Sequence, residues 1–124
     1  MLLVLEIPLL RAAEYVLPPA DIDLVGHVRH TLVEQGDTLL DIARRFDIGQ
    51  EEIVLANRKA DRWLPAVEET VLLPSRYILP RAERRGIVIN VPEMRLYYFP
   101  ADYLGRHSIV ITHPVSIGRM DWST

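Results

Sequence analysis

The chain has 124 residues, 49% of them hydrophobic and 25% charged, with a formal net charge of −3 at pH 7. That length fits one modest domain, or one very small domain and part of another. The slightly acidic balance argues against nucleic acid or an anionic membrane surface as the main partner, since both reward clustered Lys and Arg. Cysteine is absent, which excludes disulfides, a thiolate nucleophile and cysteine-ligated metal.

Met1 to Ala13 reads MLLVLEIPLLRAA. Its apolar length suits the remnant of a secretory signal, but a positive n-region is missing and Glu6 interrupts the apolar run. An apolar arm packed on the domain is the other reading. The stretch is too short for a membrane span, which needs about 20 apolar residues, so no stable membrane insertion is expected. Glu14 to Gly26 holds Pro18-Pro19 and Asp21/Asp23 and reads as an extended lead-in rather than a folded element.

His30 to Pro74 is the best-defined stretch. Thr31, Leu32 and Val33 form a short strand. Gly36 suits a tight turn, and Asp37 or Thr38 a helix N-cap. Thr38 with Asp41 echoes a capping box. Leu39, Ile42, Ala43 and Phe46 fall at i, i+3, i+4 and i+7, one face of a short helix, with Arg44 and Arg45 in its last turn. Asp47-Ile48-Gly49 breaks that helix. Gln50, Glu51 and Glu52 open a second one, which carries Ile53 and Ala56 and ends on Asn57 as a left-handed C-cap. Thr70-Val71-Leu72-Leu73 is a strand stopped by Pro74. Strand, helix, helix and strand can cover one another's apolar faces in a small two-layer unit.

This stretch resembles a LysM domain, the lysin-motif module that binds N-acetylglucosamine-containing glycans. The matching residues are Val33, Gly36-Asp37-Thr38-Leu39, Ile42-Ala43, Phe46, Ile53, Ala56-Asn57, Leu64-Pro65 and Leu72-Leu73-Pro74. The family's usual glycine before the last strand is missing from Ala66-Val67-Glu68-Glu69, so a different turn is expected there. The resemblance places a shallow glycan groove between Gly36, Asp37, Thr38 and Leu39 on one loop and Asp61, Trp63, Leu64 and Val67 on the other. An N-acetyl sugar offers an amide, hydroxyls and an apolar ring face, which backbone groups and a few apolar side chains can bind. Leu39 is expected to serve core and groove together, and Trp63 to be a packing anchor.

Two prolines and the charge run Arg81-Ala82-Glu83-Arg84-Arg85 make residues 76–86 the linker. Ile87-Val91, Met94-Phe99 and Ser108-Thr112 then read as three strands of an antiparallel meander. No later element covers its apolar face, so it reads as the opening of a domain. Ile89-Asn90, Arg95-Leu96-Tyr97-Tyr98-Phe99-Pro100, Pro114-Val115, Ile117-Gly118-Arg119 and Trp122 with Thr124 resemble the first strands of the L,D-transpeptidase catalytic domain in its LysM-bearing form. That resemblance implies a cell-wall enzyme of the envelope or periplasm acting on stem peptides. The family's cysteine nucleophile, in a Ser/Thr-His-Gly-Cys motif, has no counterpart here.

The fold class expected is therefore α+β: a βααβ LysM unit followed by an incomplete antiparallel β meander. The divisions are residues 1–26 (signal-like segment and lead-in), 27–75 (LysM), 76–86 (linker) and 87–124 (first strands of a catalytic domain whose Cys/His segment is missing). The expected function is peptidoglycan binding without chemistry, since acyl transfer needs a nucleophile, a base and an oxyanion site. No cofactor or metal is implied. His27, His30, His107 and His113 read as ordinary polar positions, with no supporting ligand cluster. The acid pairs Asp21/Asp23, Glu51/Glu52 and Glu68/Glu69 read as solvated or capping groups rather than a glycosidase pair. The alternatives are a non-enzymatic envelope protein pairing through the meander's exposed edge, and an inert gene fragment.

Overall fold

The computed structural model describes residues 13–101 and 108–118. The signal-like stretch up to residue 12, His107, Arg119, Trp122 and Thr124 lie outside them. Ten elements follow in order: β1 (Ala13–Val16), β2 (Leu24–Gly26), β3 (Arg29–Leu32), α1 (Leu39–Arg45), α2 (Gln50–Ala56), β4 (Thr70–Leu73), β5 (Arg76–Ile78), β6 (Gly86–Asn90), β7 (Arg95–Phe99) and β8 (Ile109–Pro114). The class is α+β, as expected.

The βααβ unit is β3, α1, α2 and β4, with β3 antiparallel to β4. Its core is Val33, Leu39, Ile42, Ala43, Ile48, Ile53, Val71 and Leu73, and Phe46 packs against it. The capping box at the start of α1 is complete. Asp41 N–H donates to Thr38 Oγ1 (3.1 Å), and Thr38 N–H donates to Asp41 Oδ2 (3.0 Å). Strand β3 begins earlier than its β-branched signal, at Arg29. Val33 still exchanges backbone bonds with Glu68 and Glu69, so the pairing outlasts the strand.

Asn57 is a correction. Its φ of −127° is not left-handed. Its amide instead bridges two elements: Nδ2 donates to Ile53 O and Leu72 O, and Oδ1 accepts from Leu72 N–H, each at 2.8 Å. The side chain thus supplies one donor to α2, and one donor and one acceptor to β4.

The second half differs from expectation more. The meander β6–β7–β8 forms, and β1 adds to it antiparallel, giving the order β1-β8-β7-β6. The lead-in is therefore strand, not just extended chain. In Ala-Glu-Tyr-Val every second residue turns inward, so Tyr15 packs on the core. The segment expected as a linker holds β5, paired with β2. Tyr77 and Leu79 are buried with Val25 against Tyr97, Phe99 and Val110. One apolar face of the sheet is thus covered by elements that precede it. Ile87, Ile89 and Tyr98 on the other face stay exposed.

Arg95 joins the two halves. It is 0% exposed. Its guanidinium lies 3.9 Å from the centre of the Tyr77 ring. Nη2 donates to the carbonyl of Asp47 (3.0 Å), in the α1–α2 connection. Nη1 lies 3.8 Å from Glu52 Oε2 on α2, close enough for charge attraction but not for a hydrogen bond. His113 on β8 meets Asp47 Oδ2 at 2.8 Å. Removing one partner of such a buried ionic contact costs about 3–5 kcal/mol. Because Glu52 keeps some solvent contact, Arg95→Ala is expected to lower stability by the smaller figure, about 3 kcal/mol, in urea denaturation followed by circular dichroism.

Candidate functional site

The sequence-derived site brings together two loops, one entering α1 and one leaving α2. They are tied by the Leu39 N–H to Arg62 carbonyl bond (3.0 Å). Gly36 has φ +87°, and a Cβ there would meet nothing within 4 Å. The glycine is needed for its left-handed backbone, not for close approach.

Polar side chains of the site are spent on framework. Asp37 accepts from both terminal nitrogens of Arg45 (2.6 and 3.2 Å) and from Glu34 N–H (3.1 Å). The Thr38 hydroxyl donates to Asp41 Oδ2 (2.6 Å) while accepting from Asp41 N–H. Asp61 Oδ1 accepts from Trp63 N–H (2.8 Å) and Leu64 N–H (2.9 Å), and those two bonds hold its carboxyl below the usual range. The side chains of Asp37 and Thr38 are therefore already hydrogen-bonded within the protein. Leu39 is fully buried and serves the core alone.

Three apolar residues do the opposite. Trp63, Leu64 and Val67 are 65%, 82% and 57% exposed. Trp63 is thus not the packing anchor expected from the sequence. The Asp61 turn holds its backbone while the indole faces solvent. Burying such side chains would gain free energy in proportion to apolar area.

The turn into β4 is kept without its glycine. Glu68 takes φ +66°, its N–H donates to Val33 O (2.9 Å), and Glu69 Oε2 accepts from Ala66 N–H (3.1 Å). Glu51, of the second acid pair, binds Arg62 (2.9 Å), while Glu52 accepts from Gly49 N–H (3.1 Å) at the start of α2. Among the described residues no group of three His, Asp or Glu could hold a metal ion. A larger cleft, of about 820 Å³, separates α1 and α2 from Met94 and Val115 at one end of the sheet. Its signal in the sequence was absent, because its walls lie in different halves of the chain.

The LysM domain family matches residues 32–64. These residues are a LysM domain. The chain is also similar to the probable L,D-transpeptidase YcfS of Escherichia coli (strain K12), at 36% identity over 92% of this chain and 35% of that protein. Further relatives are the probable L,D-transpeptidase ErfK/SrfK of Salmonella typhimurium (39%, covering 87% and 34%) and the probable L,D-transpeptidase YbiS of Escherichia coli (strain K12) (33%, covering 91% and 36%). The chain spans about a third of the length of the curated relatives it matches. The identity runs through both halves, so the LysM domain and the sheet together are the region shared with those relatives.

Two outcomes test this account of the LysM framework. A non-glycine residue held left-handed costs about 1–2 kcal/mol, part of which glycine's greater unfolded freedom offsets. Glu68→Gly is expected to stabilise the domain by about 1 kcal/mol, read as a higher denaturation midpoint. The second concerns acid. The Arg45 guanidinium beside Asp37, helped by Glu34 N–H, holds the Asp37 carboxyl below its usual value. A depressed folded pKa adds stability above the unfolded pKa of about 3.9 and loses it as pH falls through the folded value. Denaturation midpoints measured from pH 7 down to strong acid should therefore fall less steeply below that point in Asp37→Asn than in the parent chain.

Proposed function

We propose that the LysM domain binds the N-acetylglucosamine units of peptidoglycan through the loop surface around Trp63, Leu64 and Val67. The observation that carries this reading is the exposure of these three apolar side chains on a loop tied to Gly36–Leu39 by the Leu39–Arg62 bond. Asp37, Thr38 and Asp61 act on the sugar indirectly, by fixing the backbone that presents it with N–H and C=O groups. Trp63 supplies an apolar face for the ring or the acetyl methyl.

The likeness to L,D-transpeptidases supports a role at the cell wall, in the envelope or periplasm. Among the described residues no helix is long and apolar enough to cross a membrane. With no cysteine in the sequence, this chain supplies binding and scaffold rather than the thiolate that the family uses. One LysM domain binds weakly, and retention on a polymer comes from many repeats along the glycan.

A second reading has its own observation. Among the described strands β6 is an edge, and Ile87 and Ile89 on it are exposed, which suits pairing with another chain.

Amide-resolved NMR titration with N-acetylglucosamine oligomers tests the first reading. Shifts are expected at residues 36–39 and 61–67, with Trp63→Ala weakening binding about tenfold, a loss of about 1.4 kcal/mol. Shifts confined to residues 86–90 at rising protein concentration, with none from the sugar, would favour the second.

A further inference from the structure

A second pocket lies where β1, the β2–β3 connection, the end of α1 and Ser75 meet, with a volume of about 290 Å³. None of its lining residues belongs to the Trp63 surface. The volume is at the low end for ligand clefts: it admits an acid group and a few carbons, not a glycan.

Its chemistry centres on Arg29. Arg29 Nε donates to Ser75 Oγ (3.1 Å), and Ser75, itself 1% exposed, donates to the carbonyl of His27 (2.7 Å). The guanidinium carbon lies 5.7 Å from the centre of the Phe46 ring. The group is thus oriented before any ligand arrives, which reduces the ordering cost of binding. Arg44, Arg45, Arg62, Arg85 and Arg95 each have a carboxylate within 4.0 Å. Among the described residues Arg29 has none, and its hydrogen-bond partner is Ser75 alone, through Nε. Its terminal nitrogens form the fork that suits a carboxylate.

The rest of the lining narrows the ligand. Arg45 adds positive potential, but its nitrogens are committed to Asp37. Burial pushes the Tyr15 phenol up, so it stays a neutral hydrogen-bond donor. The exposed Glu14 also lines the pocket. One free fork opposed by one acid suits a monoanion. A phosphate dianion would ask for more uncommitted cation. Tyr15 and Phe46 give apolar contact for a methyl or methylene beside the acid.

We propose that this pocket is a binding site for a carboxylate on a short alkyl stem, taken up by Arg29. The inference is independent of the glycan reading. The acid could come from a peptide C-terminus or from a sugar acid, and the test separates them. The full chain is titrated with N-acetylalanine, with N-acetylmuramic acid and with the neutral N-acetylalanine amide, following backbone amides and the Arg29 Nε–H by NMR. One or both acids are expected to shift Arg29, Tyr15, Phe46 and Ser75, with a Kd of about 1 mM, and the amide to shift none. Arg29→Gln should abolish the shifts. Arg29→Lys, which keeps the charge without the fork, should weaken them about fivefold. Glu14→Gln should tighten binding about twofold. Equal shifts from the amide, or none from either acid while the parent spectrum stays dispersed, would overturn the proposal.

Discussion

A fully buried arginine holds the two halves of this protein in one arrangement. Arg95 stands on β7, sets its guanidinium over the ring of Tyr77 of β5, and reaches the backbone of Asp47 between the two LysM helices. Each contact belongs to a different part of the chain. A buried cation without such partners would be expelled to water. The sheet, the β2–β5 pair and the α1–α2 connection must therefore meet at that point together. The Asp47–His113 contact lies beside it and adds a second tie between the same halves. Asp47 adopts φ +57°, a conformation that aims its carbonyl and carboxylate at β7 and β8 instead of continuing the helix.

The seam also creates the molecule's concave features. The cleft of about 820 Å³ and the Arg29 pocket both draw walls from the LysM domain and from strands outside it. A LysM domain on a free tether would have neither. The Trp63 surface, by contrast, belongs to the LysM domain alone, and its polar residues are consumed in making two short loops rigid. What remains is apolar surface and backbone, the groups on which the proposed binding of an N-acetyl sugar relies.

Local signals were legible wherever the residues that decide a feature are neighbours in sequence. The 3.6-residue spacing of Leu39, Ile42, Ala43 and Phe46 gave α1, and Thr38 with Asp41 gave its cap. Alternation and β-branching gave β6, β7 and β8 within a residue or two. The loops of the proposed glycan site were legible too, because they bracket helices that could be placed. The use of each side chain was not. Exposure of Trp63 depends on where the Asp61 turn aims the indole, and the engagement of Asp37 depends on Arg45 returning one face of a helix later. Asn57 read as a cap and became a cross-link, because Leu72 arrives opposite it only after folding.

The sequence by itself determined the LysM pattern, the kinship with L,D-transpeptidases, the absence of a thiolate, and the strand-rich character of the second half. The two likenesses rest on particular residues in a particular order, and the strand-rich character on β-branching and turn chemistry, which act over a few residues. Tertiary structure alone decided that Ala13–Val16 is the partner of β8, that Tyr77 and Leu79 cover the sheet, and that Arg29 and Arg95 have opposite fates. One is buried against a ring and two carbonyl- or carboxylate-bearing neighbours, and the other has an open fork among the described residues. Nothing local separates those two arginines. Their difference arises from which strands and helices surround them, a property of long-range packing that no window of the sequence contains.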